Sequence, residues 1–220
     1  MKVIAVGLAR CMWVIDFNKV NPRGRSYLEA FHAIGQRYRF SKFPAHLMDF
    51  NAKQGLEFTA GTFRTKDGTD LRVGLTVFND GLVGDTMSST DDADAFLADL
   101  RDWAAKEHNL VIEDEAILRK AYVSQLEVKM DRSLVLNPKL DNIARKLSEQ
   151  CLTIDGKPRE FFFAGIRFWS DDIGKDNAPL AFWFENKWGT HRADNIYFTQ
   201  AQLTTQQHTE LLEELERALS

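Results

Sequence analysis

The chain's five histidines, His32, His46, His108, His191 and His208, never stand three or four residues apart. A helical pair of metal ligands needs that spacing, and a histidine acting as a base needs a nucleophile placed by a recognisable turn. No such turn is present. The sequence contains no G-x-S-x-G elbow, no Walker loop, no G-x-G-x-x-G after a strand, no H-E-x-x-H and no cysteine pair at zinc spacing. It therefore offers no catalytic residue, no metal set and no cofactor motif, and it leans away from an enzyme.

Two loops concentrate ligand-type side chains. Asp171-Asp172-Ile173-Gly174-Lys175-Asp176-Asn177 is rich in carboxylates, but it lacks the alternating ligands and terminal Glu of a calcium loop, and Lys175 opposes a cation, so it reads as a solvated turn. Asn186 to Asp194 sets Trp188 beside Lys187, His191, Arg192 and Asp194. An exposed indole flanked by cations can stack on a base or hold an anion, so Trp188, His191, Arg192 and Asp194 form a candidate ligand site, joined by Asp16 or Glu185 in a pocket between two halves of the chain. The competing reading turns the chain at Gly189 and packs Trp188 inward. Asp85 and Asp194 recur before the last strand of each half, where a carboxylate commonly bonds local backbone.

Charge narrows the partners. The net charge of −4 gives no general attraction to nucleic acid or to anionic membrane. Lys19, Arg23, Arg25, Arg37, Arg39 and Lys42 make the stretch from Asn18 to Phe43 basic, whereas Asp85 to Glu115 is strongly acidic. On a helical wheel Arg25, Arg37 and Arg39 diverge, while a phosphate-binding helix wants one stripe. An alternative use for these charges is pairing with the acidic Asp91 to Asp102 helix, within the molecule or across an oligomer. Cys11 and Cys151 sit in apolar patterns and read as reduced core thiols, which suits a cytoplasmic protein. Val3 to Ala9 is too short for a signal peptide core, and no run approaches the roughly 20 apolar residues of a membrane span.

The elements that must position these groups fall into two similar halves. Asn21-Pro22 and Asn137-Pro138 each open a helical pattern, with proline at the first turn, where its missing amide hydrogen costs nothing. Ala60-Gly61 finds Ala164-Gly165, Val77 to Asn79 finds Phe184 to Asn186, and Asp85 to Thr90 finds Asp194 to Thr199, in the same order. Each half then reads strand, helix, three strands, helix, over residues 1–110 and 121–220, with a linker at about 108–120 and both halves in one compact unit. Alternation of Cys11, Trp13, Ile15 and Phe17, and of Leu126, Val128 and Met130, marks the opening strands.

Helices bearing Tyr27, Phe31, Ile34 and Tyr38, and Leu140, Ile143, Leu147 and Cys151, each have one stripe to bury. Strands follow at 56–64, 71–79 and 82–89, with an Asp67-Gly68 turn, and at 160–169, 180–188 and 195–198. The closing helices carry Phe96, Leu100, Trp103 and Ala104, and Leu211, Leu212, Leu215 and Leu219, the latter near a Thr199–Gln202 capping box. The fold expected is α+β: pseudo-twofold halves forming a broad, mostly antiparallel sheet with helices on one face. In outline this resembles saddle- and clamp-like duplicated folds, a likeness that carries no function.

The halves differ in one respect that bears on binding. Phe162, Ala164 and Ile166 take the places of Phe58, Ala60 and Thr62 on the inner face, whereas Phe161 and Phe163 replace Glu57 and Thr59 outside, and Trp183 replaces Thr76. With Trp169, these make an apolar patch of the size that marks interfaces. The function expected is a noncatalytic protein-binding or assembly component of a bacterial or phage system, with a second copy or another protein as partner, using Phe161, Phe163, Trp169 and Trp183. A ligand-binding or enzymatic domain with a pocket between the halves is the alternative, and a clamp-like nucleic-acid binder the third.

Overall fold

Period-two alternation in the opening strand has a direct outcome: Ala9, Cys11, Trp13 and Ile15 are buried, and the residues between them are half-exposed. The computed structural model describes residues 1–20, 27–44, 54–131, 140–151, 156–157, 159–171 and 178–219. The Asn-Pro helix starts and the body of the Asp171–Asn177 loop lie outside them.

The described chain is α+β, with eight strands and four α-helices: β1 (Lys2–Ile15), α1 (Tyr27–Arg37), β2 (Leu56–Arg64), β3 (Asp70–Phe78), β4 (Gly81–Thr86), α2 (Thr90–His108), β5 (Ile117–Lys129), α3 (Asp141–Gln150), β6 (Gly165–Phe168), β7 (Phe182–Asn186), β8 (Ile196–Ala201) and α4 (Thr205–Leu219). Hydrogen bonding orders the strands β2-β3-β4-β1-β5-β8-β7-β6 in an antiparallel sheet. Two compact units divide the chain: an amino-terminal unit of Val6–Gln125 with Gln202–Gln207, and a carboxy-terminal unit of Met1–Ala5, Leu126–Ala201 and His208–Ser220.

In the amino-terminal unit, Cys11, Trp13 and Ile15 of β1, Phe58 of β2 and Val73 and Leu75 of β3 share one core with Phe31 and Ile34 of α1 and Phe96, Leu97 and Leu100 of α2. Both helices therefore cover the same sheet face. Gly84 permits the close approach of α2, since a Cβ there would lie 2.9 Å from Leu97 Cγ. The helix is well ended: Ser89 accepts from the Asp92 amide at 3.0 Å, and Asn109 closes the other end at φ 52°. Thr65 N bonds Thr69 O at 2.9 Å around Gly68, confirming the Asp67-Gly68 turn.

In the carboxy-terminal unit, Leu126, Val128 and Met130 are buried as their alternation requires. Phe184 stacks on Tyr197 with ring centroids 4.6 Å apart, and α4 buries His208 and Leu212. Several expectations need correction here. β6 holds only Gly165–Phe168 of the strand expected over 160–169, so Phe161 and Phe163 lie outside the sheet and Phe162 is exposed rather than internal. The Phe161 amide instead donates to Ser148 Oγ of α3 at 2.8 Å, which draws this segment to the helix.

α3 buries none of its residues, so its apolar stripe is uncovered among the described residues, and Cys151 at its end is exposed rather than a core thiol. The capping box of α4 is Thr204–Gln207, with Gln207 N donating to Thr204 Oγ1 and Thr204 N to Gln207 Oε1, both at 3.2 Å. Thr199 is buried inside β8. Asp85 lies within β4 and Asp194 in a 3-10 turn before β8, so the two do not occupy matching places.

Candidate binding surface

Ile143 and Leu147 stand one helical turn apart on α3, 55% and 42% exposed. Phe161 and Phe162, 40% and 38% exposed, run along a different side of the helix, that of Asp141, Ala144, Arg145 and Ser148, where the Phe161–Ser148 hydrogen bond ties them. The Arg192 guanidinium lies 5.4 Å from the Phe162 ring centroid, and Arg145 pairs with Glu149 at 3.2 Å. Between the helix and this segment is a recess of about 390 Å³, lined by Ala144, Arg145, Phe161, Phe162 and Arg192 among others. The recess therefore sets two phenyl rings and Ala144 among charged side chains of both signs, Arg145 and Arg192 with Asp141 and Glu160.

The other expected binding residues are distributed differently. Trp183 faces Arg167 across the β6–β7 ladder, with the Arg167 guanidinium 3.8 Å from its ring centroid and Phe198 edge-on at 5.7 Å. Its buried indole N–H has no hydrogen-bond acceptor among the described residues. Trp183 is therefore half-buried under its neighbours rather than bare. Trp169 follows β6 and is exposed, next to exposed Phe168, while Phe163 is half-buried.

The β7–β8 connection settles how its polar residues are used. Trp188 does not pack inward; it is 96% exposed, beside Gly189 at φ 82°. Lys187 reaches Glu127 at 2.6 Å. His191 and Asp194 close a reciprocal cap: Ala193 N donates to His191 Nδ1 at 3.2 Å, and His191 N donates to Asp194 Oδ2 at 3.1 Å. Both side chains thus serve the local backbone, and Arg192 leans on Phe162. The four residues of the candidate ligand site share one loop and all four are exposed, Trp188 almost completely.

Asp94 organises a cluster that the sequence did not single out. Its Oδ1 accepts from Trp13 Nε1 at 2.6 Å and from the Cys11 thiol at 3.3 Å, and Lys120 Nζ lies 2.9 Å from both carboxylate oxygens. Burial, reinforced by the Asp94 charge, pushes the Cys11 thiol far up, so it stays protonated and is no nucleophile. The same causes push the Tyr122 phenol up to about 12. Nearby, Arg37 pairs with Asp99 at 2.9 Å, and Tyr38 donates to the same carboxylate at 2.6 Å. Arg37 is thus paired with the acidic helix, as its charge predicted. Only the excess of acids in α2 hinted at these contacts; nothing in the spacing named Asp94.

Among the described residues no group of three His, Cys, Asp or Glu side chains is placed to hold a metal ion, and no helix is long and apolar enough to cross a membrane. No protein-family model matches the chain, and no curated protein matches it.

Proposed function

We propose that this protein is a noncatalytic binding or assembly component of a bacterial or phage system, built from two copies of one βαβββα half, and that it holds a protein partner on the aromatic surface of its carboxy-terminal unit. The observation that carries this reading is the contrast between α1, which buries Ala30, Phe31 and Ile34, and α3, which buries nothing: Ile143 and Leu147 are exposed on one side of it and Phe161 and Phe162 are exposed along its Ser148 side. Apolar side chains left in water at this density mark interfaces. Trp169 and Trp188 extend the supply of exposed aromatics in the same unit, and Trp and Phe are the residue types enriched among interface anchors.

Support for the duplication comes from hydrogen bonds repeated at one spacing. Ile15 N donates to Asp80 O and Met130 N to Asn195 O, and the donors, like the acceptors, are separated by the same 115 residues that separate Thr90 from Thr205. In the sheet Leu75 faces Gly84 and Phe184 faces Thr199, so on this reading Trp183 stands where the other half has Gly74, rather than Thr76.

A second copy of the chain is the first partner to test. Light scattering over a concentration series should show the mass rising above that of a monomer, and Leu147→Ser combined with Phe161→Ser should hold it at the monomer. A monomeric wild type leaves a different protein as the partner, which crosslinking from the same surface would capture; the absence of both removes the proposal.

A further inference from the structure

We infer that the outer edge of β6 pairs antiparallel with β6 of a second copy, joining two carboxy-terminal units through one continuous sheet. The inference rests on the proposal that a second copy is the partner, and it names the contact. β6 ends the strand order, and only β7 pairs with it among the described residues. Asn186 N donates to Ala164 O at 2.8 Å, so in this register the backbone groups of Ala164, Ile166 and Phe168 turn toward β7. Those of Gly165 and Arg167 turn outward.

Unpaired N–H and C=O groups repeating along a strand edge are matched by another extended backbone, which makes a strand the occupant. At the other end of the strand order that place is taken by the chain itself. Beside β2, Ser41 N donates to Thr59 O at 3.1 Å and Thr59 N to Lys42 O at 2.9 Å. Edges that stay single are shielded by charge or proline, whereas β6 carries one charge, Arg167, and runs into Phe168 and Trp169, 62% and 58% exposed.

β6 is complementary to itself when Gly165 of one copy lies opposite Arg167 of the other. Each such pair exchanges two backbone hydrogen bonds, and Ile166 meets Ile166 of the second copy on the face that carries Phe168 and Phe182. On the opposite face the row across the contact reads Trp183 and Arg167, then Gly165 and Glu185 of the second copy. Gly165 keeps the way between the two charges clear, and a Cβ there would lie 2.5 Å from Glu185 Cβ. Two strand spacings, about 10 Å, separate the charged residues, a span that an extended arginine and glutamate cover together. The Arg167 side chain rests on Trp183, and neither it nor the Glu185 side chain has an ion pair among the described residues. Sliding one strand by two residues would set Arg167 against Arg167 of the second copy or, in the other direction, part the two Ile166 side chains. Past the strand ends the favoured register puts Trp169 opposite Phe163 of the second copy, both being residues that the sequence marks for binding.

The test uses the full chain with Cys151→Ser, which leaves buried Cys11 as its cysteine. Ile166→Cys should give a disulfide-linked dimer under mild oxidation, because facing residues of such a pair hold their Cβ atoms about 5 Å apart. Phe168→Cys is the control: it is more exposed, but this register sets the two copies of position 168 four residues apart along the strands, so it should stay monomeric. Without cysteines added, Arg167→Glu and Glu185→Arg should each weaken dimerisation by about tenfold or more, while an equal mixture of the two proteins should recover it through opposite charges at both contacts. That recovery also shows both variants to be folded. Equal crosslinking at 166 and 168, none at 166, or no recovery on mixing would overturn the contact. A wild-type dimer that Leu147→Ser with Phe161→Ser dissociates, yet with no crosslink at 166, would overturn this contact alone and leave the aromatic surface as the interface; a monomeric wild type would overturn it and leave a different protein as the partner.

Discussion

Thr90 and Thr205, the first residues of α2 and α4, exchange hydrogen bonds: Thr90 N donates to Thr205 Oγ1 at 3.0 Å, and Thr205 N donates to Thr90 Oγ1 at 2.9 Å. The first amides of a helix have no intrahelical acceptor, so each threonine supplies what the other helix lacks. The residues just before them, Ser89 and Thr204, cap the same two helices. A reciprocal contact of this kind is what the proposed duplication would produce.

Replacing Thr90 with Val keeps the shape and removes the hydroxyl, leaving the Thr205 amide unpaired. The expected loss is about 1–3 kcal/mol, and Thr90→Ser should recover most of it. Thr205→Val should cost a similar amount. Urea unfolding of the four proteins checks this, and a loss from only one of the two valine variants would argue against reciprocity.

His208 gives the chain a pH dependence whose sign is fixed. It is fully buried, its Nε2 lies 2.9 Å from Thr199 Oγ1, and burial lowers its pKa to about 4 from 6.5. The unfolded chain therefore binds the proton first as pH falls. Stability from this group is complete above about pH 6.5 and is lost progressively down to about pH 4, by roughly 3 kcal/mol in all. Thermal melts across that window should show the fall, and His208→Gln should flatten it.

Covered and uncovered helices should respond differently to the same change. Ile34 of α1 is buried, and Ile34→Ala should cost about 2–4 kcal/mol. Ile143 and Leu147 of α3 are exposed, and either residue changed to Ala should shift stability by about 0.5 kcal/mol or less. Denaturant titration of monomeric protein at low concentration separates folding from association.

Thiol reactivity checks the placement of the two cysteines. Cys151 is exposed and Cys11 buried with its thiol held protonated. A thiol-reactive dye should label Cys151 alone in the native chain and both in denaturant. Cys151→Ser should leave native protein unlabelled.

Much of the fold was legible because burial in a sheet follows a period of two. The strand at Leu56–Arg64 and the Asp67-Gly68 turn after it lie where they were expected, and Leu126, Val128 and Met130 were assigned to the core from their alternation. Local ambiguity explains the capping box: Thr-x-x-Gln occurs at Thr199–Gln202 and again at Thr204–Gln207, and only the strand that claims Thr199 decides between them. The unbroken Phe161-Phe162-Phe163 run looked like strand, but its first amide is held by Ser148, a contact no pattern announces. Periodicity likewise told which side of α3 is apolar, though not whether anything covers it. The aromatic excess of the second half was visible in the sequence, while the exposure of Ile143 and Leu147 on α3 was not.

The direct measurement is site-specific photocrosslinking in the cells that make the protein, with the photoreactive residue at Leu147 or Phe161 and, as control, at exposed Glu57 on β2. The account predicts one discrete protein adduct from positions 147 and 161 and none from position 57. Adducts absent at all three positions, or formed equally at each, would contradict it.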